Sequence, residues 1–340
     1  MIQCSLTECE ISAGGRCLEG HARDCPHLIG ISSSALDSVS LSNGDGNEAD
    51  PPADTFEPLY SGLPLEIDDA REITGRRRAI VVVLTGMKES GKTSLIARVH
   101  QLFLSGPVGG FSFAGSRTLP RFEELSWKAT VDSGVSAPTM DRSSRSFDNS
   151  FLHFAVREDG TSLDPVDLLL NDISGETFPE TITSQPVCVG LLCIHRADHV
   201  AVIVDGAAMA DPDLRDDHMK KARNFVQRVL QTEQIGRATV LHLIITKLDE
   251  LTKSTDLDDT LAAALSLETS FFTMFSARVA SVRCWRLAAR PLDGSLPTES
   301  IIAELFCTWV SSTSRYAHVC QERFTSNEGR AFCGFRYPGD

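Results

Sequence analysis

The sequence GMKESGKT at residues 86–93 decides the fold, and it follows the apolar run AIVVVL at residues 79–84. It fits the pattern G-x-x-x-x-G-K-T, with a strand-like run before it and helical spacing of apolar residues after it. Glycine at both ends lets the backbone wrap so that successive N–H groups point inward, and the start of the following helix adds partial positive charge. The stretch therefore predicts a phosphate-binding loop that holds a polyphosphate.

Two residues of this loop have the most defined chemistry. Lys92 would reach the β- and γ-phosphates and act in catalysis, because its charge stabilises the transferred phosphoryl group. The Thr93 hydroxyl would be a ligand of the Mg²⁺ that accompanies the phosphates. The nucleotide-binding residues predicted in this stretch are Gly86, Lys88, Glu89, Ser90, Gly91, Lys92, Thr93 and Ser94.

The composition of the 340-residue chain is that of a globular protein, with 42% hydrophobic residues. Its net charge of −14 opposes binding to nucleic acid or to an anionic membrane surface. No apolar run approaches the roughly 20 residues that span a bilayer, and the first five residues have no basic start followed by an apolar stretch. We therefore expect a cytoplasmic protein with no nucleic-acid or membrane partner.

Four of the ten cysteines, Cys4, Cys9, Cys17 and Cys25, fall near the start of the chain among turn-forming glycines. Four thiolates can close a tetrahedral Zn²⁺ site, and a segment this small would need such a staple to fold. Reactive or redox cysteines and unliganded thiols are the alternatives. The hypothesis is a small zinc-knuckle-like segment over residues 1–30.

The remaining chain divides by composition. Residues 31–65 are rich in Ser, Asp, Asn, Gly and Pro and cannot bury enough apolar surface to offset their conformational entropy, which predicts a flexible linker. Residues 66–311 alternate strand-like runs with helical spacing, and residues 312–340 form a C-terminal tail. The alternation predicts an α/β fold, a P-loop NTPase three-layer sandwich with a mostly parallel, doubly wound sheet and ligands at the carboxyl ends of its strands.

The second motif, DISG, runs from Asp172 to Gly175 after the predicted strand at residues 166–170. Asp172 can reach Mg²⁺ through water, and the Gly175 N–H can meet the γ-phosphate. Glu176 follows. A γ-phosphate repels a carboxylate, yet a carboxylate can also act as a base toward the attacking water, so Glu176 is the second catalytic candidate. The alternative for Glu176 is a helix-start acid that complements the helix dipole.

The third motif, TKLD, begins at Thr246 after a predicted strand. The Asp249 carboxylate can accept two N–H bonds from the guanine edge, which adenine does not offer, and Lys247 would pack its stem across the ring. Ala288 and Ala289 follow the last predicted strand, where a backbone N–H can meet the guanine carbonyl. GTP or GDP is therefore the predicted ligand, and an ATPase or a small-molecule kinase is a rival.

A mobile threonine that closes on Mg²⁺ in the presence of the γ-phosphate is expected between the first helix of the nucleotide domain and the strand at residues 151–156. Thr139 is the predicted residue and Thr118 the alternative. Residues 111–149 are interpreted as a long connection, which is usually functional or disordered. Loops around Thr139 and after Gly175 would order on GTP and relax on hydrolysis, which changes the surface shown to a protein partner.

In their order along the chain, these motifs resemble those of the translation-factor-related class of P-loop GTPases. More narrowly, the phosphate loop and four further stretches are similar to the bacterial double-GTPase family, some of whose members carry a similar cysteine-bearing start. The resemblance implies a GTP-binding switch that hydrolyses GTP with Mg²⁺, encoded beside partner proteins of bacterial conflict or defence systems. The four stretches are FAGSRTL (113–119), DISGE (172–176), RADH (196–199) and VDG (204–206).

Two residues depart from the pattern of related GTPases. Glu176 stands where many relatives place a water-orienting glutamine, so a scaffold that binds nucleotide without hydrolysing it is the alternative to a GTPase. Thr246 stands where asparagine is commoner, which loosens the guanine selectivity.

Overall fold

The structure, a computed structural model, describes most of the central part of the chain. Several predictions fall outside the described residues: Thr139, the zinc-binding side chains of the N-terminal cysteines, nearly all of the linker at residues 31–65, and the C-terminal tail at residues 312–340. The described residues are 62–128, 148–290 and 298–311, with the backbone of 3–4 and 28–29.

The chain divides into two units, Met1–Pro58 and Leu59–Asp340. Within the described part of the first unit, strands β1 (Gln3–Cys4) and β2 (Leu28–Ile29) pair antiparallel. The second unit is built on seven further strands. They are β3 (Ala79–Gly86), β4 (Phe111–Gly115), β5 (Leu152–Glu158), β6 (Val166–Asp172), β7 (His199–Asp205), β8 (Val240–Thr246) and β9 (Ser281–Arg286).

These seven strands form one sheet in the order β4-β5-β6-β3-β7-β8-β9. Strands β6, β3, β7, β8 and β9 run parallel. At one edge, β5 pairs antiparallel with β6, and β4 pairs antiparallel with β5. The predicted α/β fold with a mostly parallel, doubly wound sheet is thereby confirmed. The β3 strand lies in the middle and all its residues are buried, as the apolar run before the loop predicts for a central parallel strand.

Helices cover both faces of the sheet. They are α1 (Ile67–Arg76), α2 (Lys92–Ser105), α3 (Leu119–Lys128), α4 (Thr177–Thr183), α5 (Gln185–Gly190), α6 (Leu192–Arg196), α7 (Gly206–Ala210), α8 (Pro212–Gln231), α9 (Leu248–Leu251), α10 (Leu257–Phe275) and α11 (Thr298–Ser311).

Alternate side chains of β3 divide the core into two clusters, because neighbouring strand residues point to opposite faces. Val81 and Val83 pack with α1, α4, α8 and α10. Val82 and Leu84 pack with α2, α3 and α11 on the other face. The sheet is therefore covered on both sides. No helix among the described residues is long and apolar enough to cross a bilayer.

Part of the region interpreted as a long connection is regular structure. The β4 strand pairs with β5, with a register shift between Phe113 and Gly115, and α3 buries Phe122 and Leu125 against the core. The β4 strand is only five residues long and none of its residues is buried, so it lacks the run of buried apolar residues that marks β3. Both elements are short, which explains why the sequence pattern does not separate them from a loop.

A buried carboxylate joins α1 to the antiparallel edge of the sheet. Asp167 accepts hydrogen bonds from the Arg77 guanidinium and from His153 Nε2, at 2.8 Å for the histidine. The Arg117 N–H donates to His153 Nδ1 at 2.9 Å, so Nε2 carries the proton given to Asp167. The charge of Asp167 is thus compensated although its side chain is fully buried.

A second buried polar chain crosses β9, β8 and β7. Trp285 Nε1 donates to His242 Nδ1 at 3.0 Å, and the two histidines are joined by a 2.9 Å bond between His242 Nε2 and His199 Nδ1. His199 Nε2 lies 3.2 Å from the Trp309 carbonyl. Each bond has one donor and one acceptor when both histidines are neutral. Burial favours that state, since it lowers the pKa of His199 to about 4 and the pKa of His242 well below its usual value.

Candidate functional site

The predicted site residues follow parallel strands that end at the same edge of the sheet. The phosphate loop follows β3, Asp172 ends β6 and Asp205 ends β7. Thr246 ends β8, and Ala288 follows β9. The carboxyl edge of the sheet therefore collects residues that are far apart in sequence, as a doubly wound fold requires.

The loop between β3 and α2 has the backbone of an anion cradle. Gly91 is the N-cap of α2 and has φ of 88°, in the left-handed region that favours glycine. Glu89 also has a positive φ, 63°, which is uncommon for a residue with a side chain. The other predicted loop residues have different degrees of exposure: Gly86 and Ser90 are buried, Lys88 is exposed, and Thr93 and Ser94 are half-buried.

Lys92 is buried beneath this loop. Its Nζ donates to the carbonyl oxygens of Gly86 at 3.2 Å and Met87 at 3.1 Å, so the ammonium group lies against the loop backbone. Burial lowers the pKa of Lys92, while the negative charges of Asp172 and Asp148 oppose that shift. A polyphosphate in the cradle would add negative charge next to the ammonium group and favour its charged form.

The first residues of α2 meet the end of β6. Thr93 Oγ1 donates to Asp172 Oδ2 at 2.6 Å. The structure thus brings together the hydroxyl and the carboxylate that the sequence assigns to one Mg²⁺. Both are hard oxygen donors of the type that Mg²⁺ prefers, so the residues present fit the ion.

Thr246 connects the phosphate loop to the base motif. Its Oγ1 lies 2.7 Å from the Ser90 carbonyl and 3.2 Å from the Val204 carbonyl, and the threonine is buried. The hydroxyl therefore fastens the loop to the ends of β7 and β8. This contact explains how threonine serves at a position where asparagine is commoner.

Two contacts hold the TKLD turn, one to the end of β7 and one to the residue that follows β9. Lys247 has a left-handed backbone, φ 48°, and its Nζ pairs with Asp205 Oδ2 at 2.9 Å. Leu248 N–H donates to the Leu287 carbonyl at 3.3 Å, which joins the turn to the end of β9. Asp249, inside the turn, is 5% exposed. The sequence marks Asp205 only as part of the VDG stretch at residues 204–206, and nothing in it indicates that Lys247 is its partner.

Ala288 and Ala289 continue directly from this junction and are also buried. The bond between the TKLD turn and the end of β9 ties them to that turn. The two predicted parts of the base site therefore lie next to each other.

The DISG loop packs directly on the phosphate loop. A Cβ on Gly175 would lie 2.4 Å from the Lys88 Cα and 2.5 Å from its N, so this close approach requires glycine. Glu176 is exposed and is the N-cap of α4, without a side-chain capping bond. Its place at a helix start agrees with the alternative interpretation of Glu176, an acid that complements the helix dipole.

Asp148 is a site residue that sequence reasoning misses. It lies just before β5 and is 8% exposed. Its Oδ1 accepts from the Ser174 N–H at 2.7 Å, and its Oδ2 accepts from the Thr177 hydroxyl. An isolated aspartate in a Ser- and Arg-rich stretch carries no motif, so no sequence signal marks it.

The two candidates for the mobile threonine have different outcomes. Thr118 is fully buried, and its Oγ1 accepts from the His153 N–H at 2.9 Å. The Thr118 N–H in turn donates to Ser116 Oγ at 3.0 Å. The structure thus holds Thr118 in the turn between β4 and α3, and the choice of Thr139 stays a prediction.

Comparison with known proteins gives the family. Residues 80–310 match the family Double-GTPase 2. The chain belongs to this family. The match spans the strands and helices from β3 to α11 and covers every predicted site residue apart from the N-terminal cysteines. As a Double-GTPase 2 member, the protein is a GTP-binding protein of the P-loop type, which confirms the family resemblance seen in the sequence.

Other comparisons add less. No curated protein matches the chain. Among solved structures, the chain is similar to the Arl6 BBS3 small GTPase from Trypanosoma brucei with bound nucleotide analogue GppNp, with 13% identity and a TM-score of 0.38. That alignment covers 69% of this chain and 99% of the trypanosome chain.

One stretch shared with the double GTPases lies away from the candidate site. Asp198, in RADH, precedes β7 at the amino edge of the sheet. Its Oδ2 accepts from the Val81 N–H at 2.9 Å and from Arg196 at 3.0 Å, while its backbone carbonyl accepts from the Val240 N–H. These bonds align the starts of neighbouring strands. These bonds indicate that the RADH stretch stabilises the sheet and does not contact the candidate site.

Proposed function

We propose that this double GTPase binds and hydrolyses GTP with Mg²⁺ and acts as a conformational switch. The observation that carries the proposal is the convergence of phosphate, metal and base motifs at one edge of the sheet. The Thr246 hydroxyl joins two of them through its 2.7 Å contact with Ser90. In such an arrangement a single nucleotide can contact all three motifs.

The phosphate end of the ligand would be held by the loop backbone and Lys92. The Lys92 Nζ contacts the Gly86 and Met87 carbonyls. We expect it to exchange these contacts for phosphate oxygens, which offer a charge-assisted bond. The lysine would then stabilise the negative charge that develops on the transferred phosphoryl group.

Thr93 and Asp172 would hold Mg²⁺, the threonine directly and the aspartate through water. Their present bond of 2.6 Å brings the two oxygens to one point beside the loop. The ion would neutralise charge on the β- and γ-phosphates. Asp249 would select guanine by accepting two N–H bonds, and Lys247, fixed by Asp205, would lie along the ring.

Glu176 would act on the attacking water. Its exposed position after Gly175 places a carboxylate next to the segment that would meet the γ-phosphate. The same observation supports the alternative, a protein that binds GTP without hydrolysing it, because an N-cap carboxylate can serve the helix alone. Turnover distinguishes the two.

The direct test is release of phosphate from GTP, with and without Mg²⁺, by the protein and its Lys92→Ala and Glu176→Ala variants. We expect Mg²⁺-dependent release that both variants reduce by about 100-fold or more, while Glu176→Ala still binds GTP. A wild-type protein that binds GTP without releasing phosphate would support the scaffold alternative. A Glu176→Ala variant with full activity would leave Glu176 with only its place at the helix start.

Further parts of the proposal rest on the sequence. We infer that the loops around Thr139 and after Gly175 contact a protein partner, and the family resemblance points to a bacterial conflict or defence system and a cytoplasmic protein. A Zn²⁺ site of Cys4, Cys9, Cys17 and Cys25 is the proposal for the N-terminal segment. Metal analysis of the purified chain, before and after substitution of Cys17, tests it.

A further inference from the structure

Helix α10 carries a regular stripe of uncharged residues on its exposed side, in addition to the face that it buries in the core. The buried residues are Thr260, Ala264, Leu267, Phe271 and Phe275. The stripe on the exposed side, here called the outer seam, has successive spacings of three, four, three and four. Its residues are Ala262, Leu265, Thr269, Phe272 and Ser276. Leu265 is 59% exposed and Phe272 is 53% exposed, so the outer seam presents two large apolar side chains to solvent.

The spacing and the lack of charge indicate that the outer seam packs against another helix. Alternation between three and four residues is the pattern along which two helices pack side by side. A surface helix of a monomer usually has one apolar stripe, with charged residues on the opposite side. Glu268 is the only charged residue between Thr260 and Ala277, although 23% of the chain is charged. Its two carboxylate oxygens accept from the Arg286 guanidinium at 2.6 and 2.9 Å, so Glu268 is paired with β9.

The sizes of the side chains favour a second copy of α10 as the occupant. From either end, the outer seam runs small, large, small, large, small, with Thr269 in the middle. In an antiparallel pair related by a two-fold axis at Thr269, Leu265 would pack against the partner's Phe272. The same contact would recur on the other side of the axis. A symmetric dimer requires a patch that is complementary to itself in this way.

The charges at the two ends of α10 favour the antiparallel orientation. Asp258 and Asp259 lie in the first turn, and the exposed Arg278 follows the last turn. Arg278 Nη2 donates to the Leu230 carbonyl at 3.3 Å, which holds the guanidinium near the helix end. An antiparallel pair sets the aspartates of each copy beside the partner's Arg278, whereas a parallel pair would bring the aspartates of both copies together. Opposed helix dipoles favour the same orientation.

From these observations we propose that the protein forms a two-fold symmetric dimer by antiparallel pairing of the outer seams of α10. The net charge of −14 makes two copies repel, and a neutral surface opposes their approach least. One pair of 19-residue helices, about 28 Å long, is a small interface, so the dimer should dissociate on dilution. The outer seam contains no residue of the candidate site, and the inference does not depend on the proposed function.

Sedimentation velocity of the full chain with reductant, at concentrations from about 1 to 100 µM, tests the proposal. The wild type should shift from monomer to dimer as its concentration rises. Leu265→Glu and Phe272→Glu bury a charge in the interface and should each weaken the dimer by about 30-fold or more. The matched control is Leu214→Glu in α8, where the leucine is 47% exposed, and it should dimerise like the wild type. Far-UV circular dichroism checks that each variant is folded.

A charge exchange tests the orientation of the two helices. Asp259→Arg and Arg278→Asp each set like charges together at both ends of the dimer, and each should weaken it by about fivefold. The double variant restores opposite charges and should dimerise nearly as well as the wild type. Damage to the fold would not produce such a rescue.

Three results would overturn the proposal. A wild type that stays monomeric at every concentration would leave the outer seam to a different protein partner. A dimer that both glutamate variants leave intact would use another surface. A double charge variant that dimerises no better than the two single variants would exclude the antiparallel pair. None of these results would affect the proposed binding and hydrolysis of GTP, which phosphate release tests separately.

Discussion

At the scale of single residues, Thr246 shows how the site tolerates an unusual base motif. One hydroxyl contacts the Ser90 carbonyl of the phosphate loop and the Val204 carbonyl of the neighbouring strand. An asparagine would reach the loop through an amide, while threonine reaches it through a shorter side chain. The phosphate and base motifs thus remain coupled without the amide.

This contact gives the first prediction. Thr246→Val keeps the shape and removes the hydroxyl, so it should lower the free energy of unfolding by about 1–2 kcal/mol and weaken GTP binding by about tenfold. Urea unfolding and nucleotide titration measure the two effects. Thr246→Ser is the control and should stay near the wild type in both. Equal GTP affinity in the wild type and Thr246→Val would show that the Thr246 hydroxyl does not contribute to nucleotide binding.

At the scale of elements, the loop after β6 depends on its contact with the phosphate loop. Gly175→Ala places a methyl group 2.4 Å from the Lys88 Cα, and a backbone atom cannot give way as a flexible side chain can. We expect a loss of about 1–3 kcal/mol in the free energy of unfolding, from urea titration without nucleotide. Gly190→Ala in α5 is the control, because nothing lies within 4 Å of its added methyl group. Equal losses in both variants would contradict this packing.

The antiparallel edge provides a prediction about stability alone. Asp167→Asn removes the charge that pairs with Arg77, whose side chain is 44% exposed and stays solvated, so we expect a loss of about 1–2 kcal/mol in the free energy of unfolding. Nucleotide affinity should change little, since Asp167 begins β6 and the site lies at its far end. A large loss of GTP affinity at unchanged stability would show that this edge communicates with the site.

The elements also show what the sequence can and cannot predict. The sequence predicts that the motifs at Gly91, Asp172 and Thr246 lie together at the carboxyl edge of the sheet, because all strands of a parallel sheet end at that edge. The structure has them there. The roles of Asp148 and Asp205 cannot be predicted in this way, because they come from contacts between distant segments. Asp148 stands in no motif, and the VDG stretch around Asp205 does not indicate its contact with Lys247. The short β4 and α3 were missed because neither has a long apolar period.

At the scale of the whole molecule, the buried histidine pair ties stability to pH. The pKa of His199 is about 4 in the folded protein and about 6.5 when exposed, so the folded state binds fewer protons between these values. The contribution of His199 to the free energy of unfolding is therefore fully present above about pH 6.5 and is lost as the pH falls toward 4. For His199 alone the loss approaches about 3 kcal/mol, and the lowered pKa of His242 acts in the same direction.

Urea unfolding at neutral pH and at about pH 5 measures this dependence. His199→Asn removes one titrating group and keeps an acceptor for His242, so its stability should vary less with pH than that of the wild type. The exposed His195 provides the control, and His195→Asn should keep the wild-type slope. A slope unchanged by His199→Asn would contradict the assignment of the acid sensitivity to the buried pair.

We propose that this site binds guanine nucleotides through Asp249. Competition among GTP, ATP and xanthosine triphosphate, for the wild type and for Asp249→Asn, tests this proposal. Xanthine carries a carbonyl where guanine carries its amino group, so an asparagine amide can donate where the aspartate accepted. We expect the wild type to bind GTP most tightly and Asp249→Asn to bind xanthosine triphosphate most tightly. ATP binding as tightly as GTP in the wild type, or an unchanged preference for GTP in Asp249→Asn, would show that Asp249 does not select guanine.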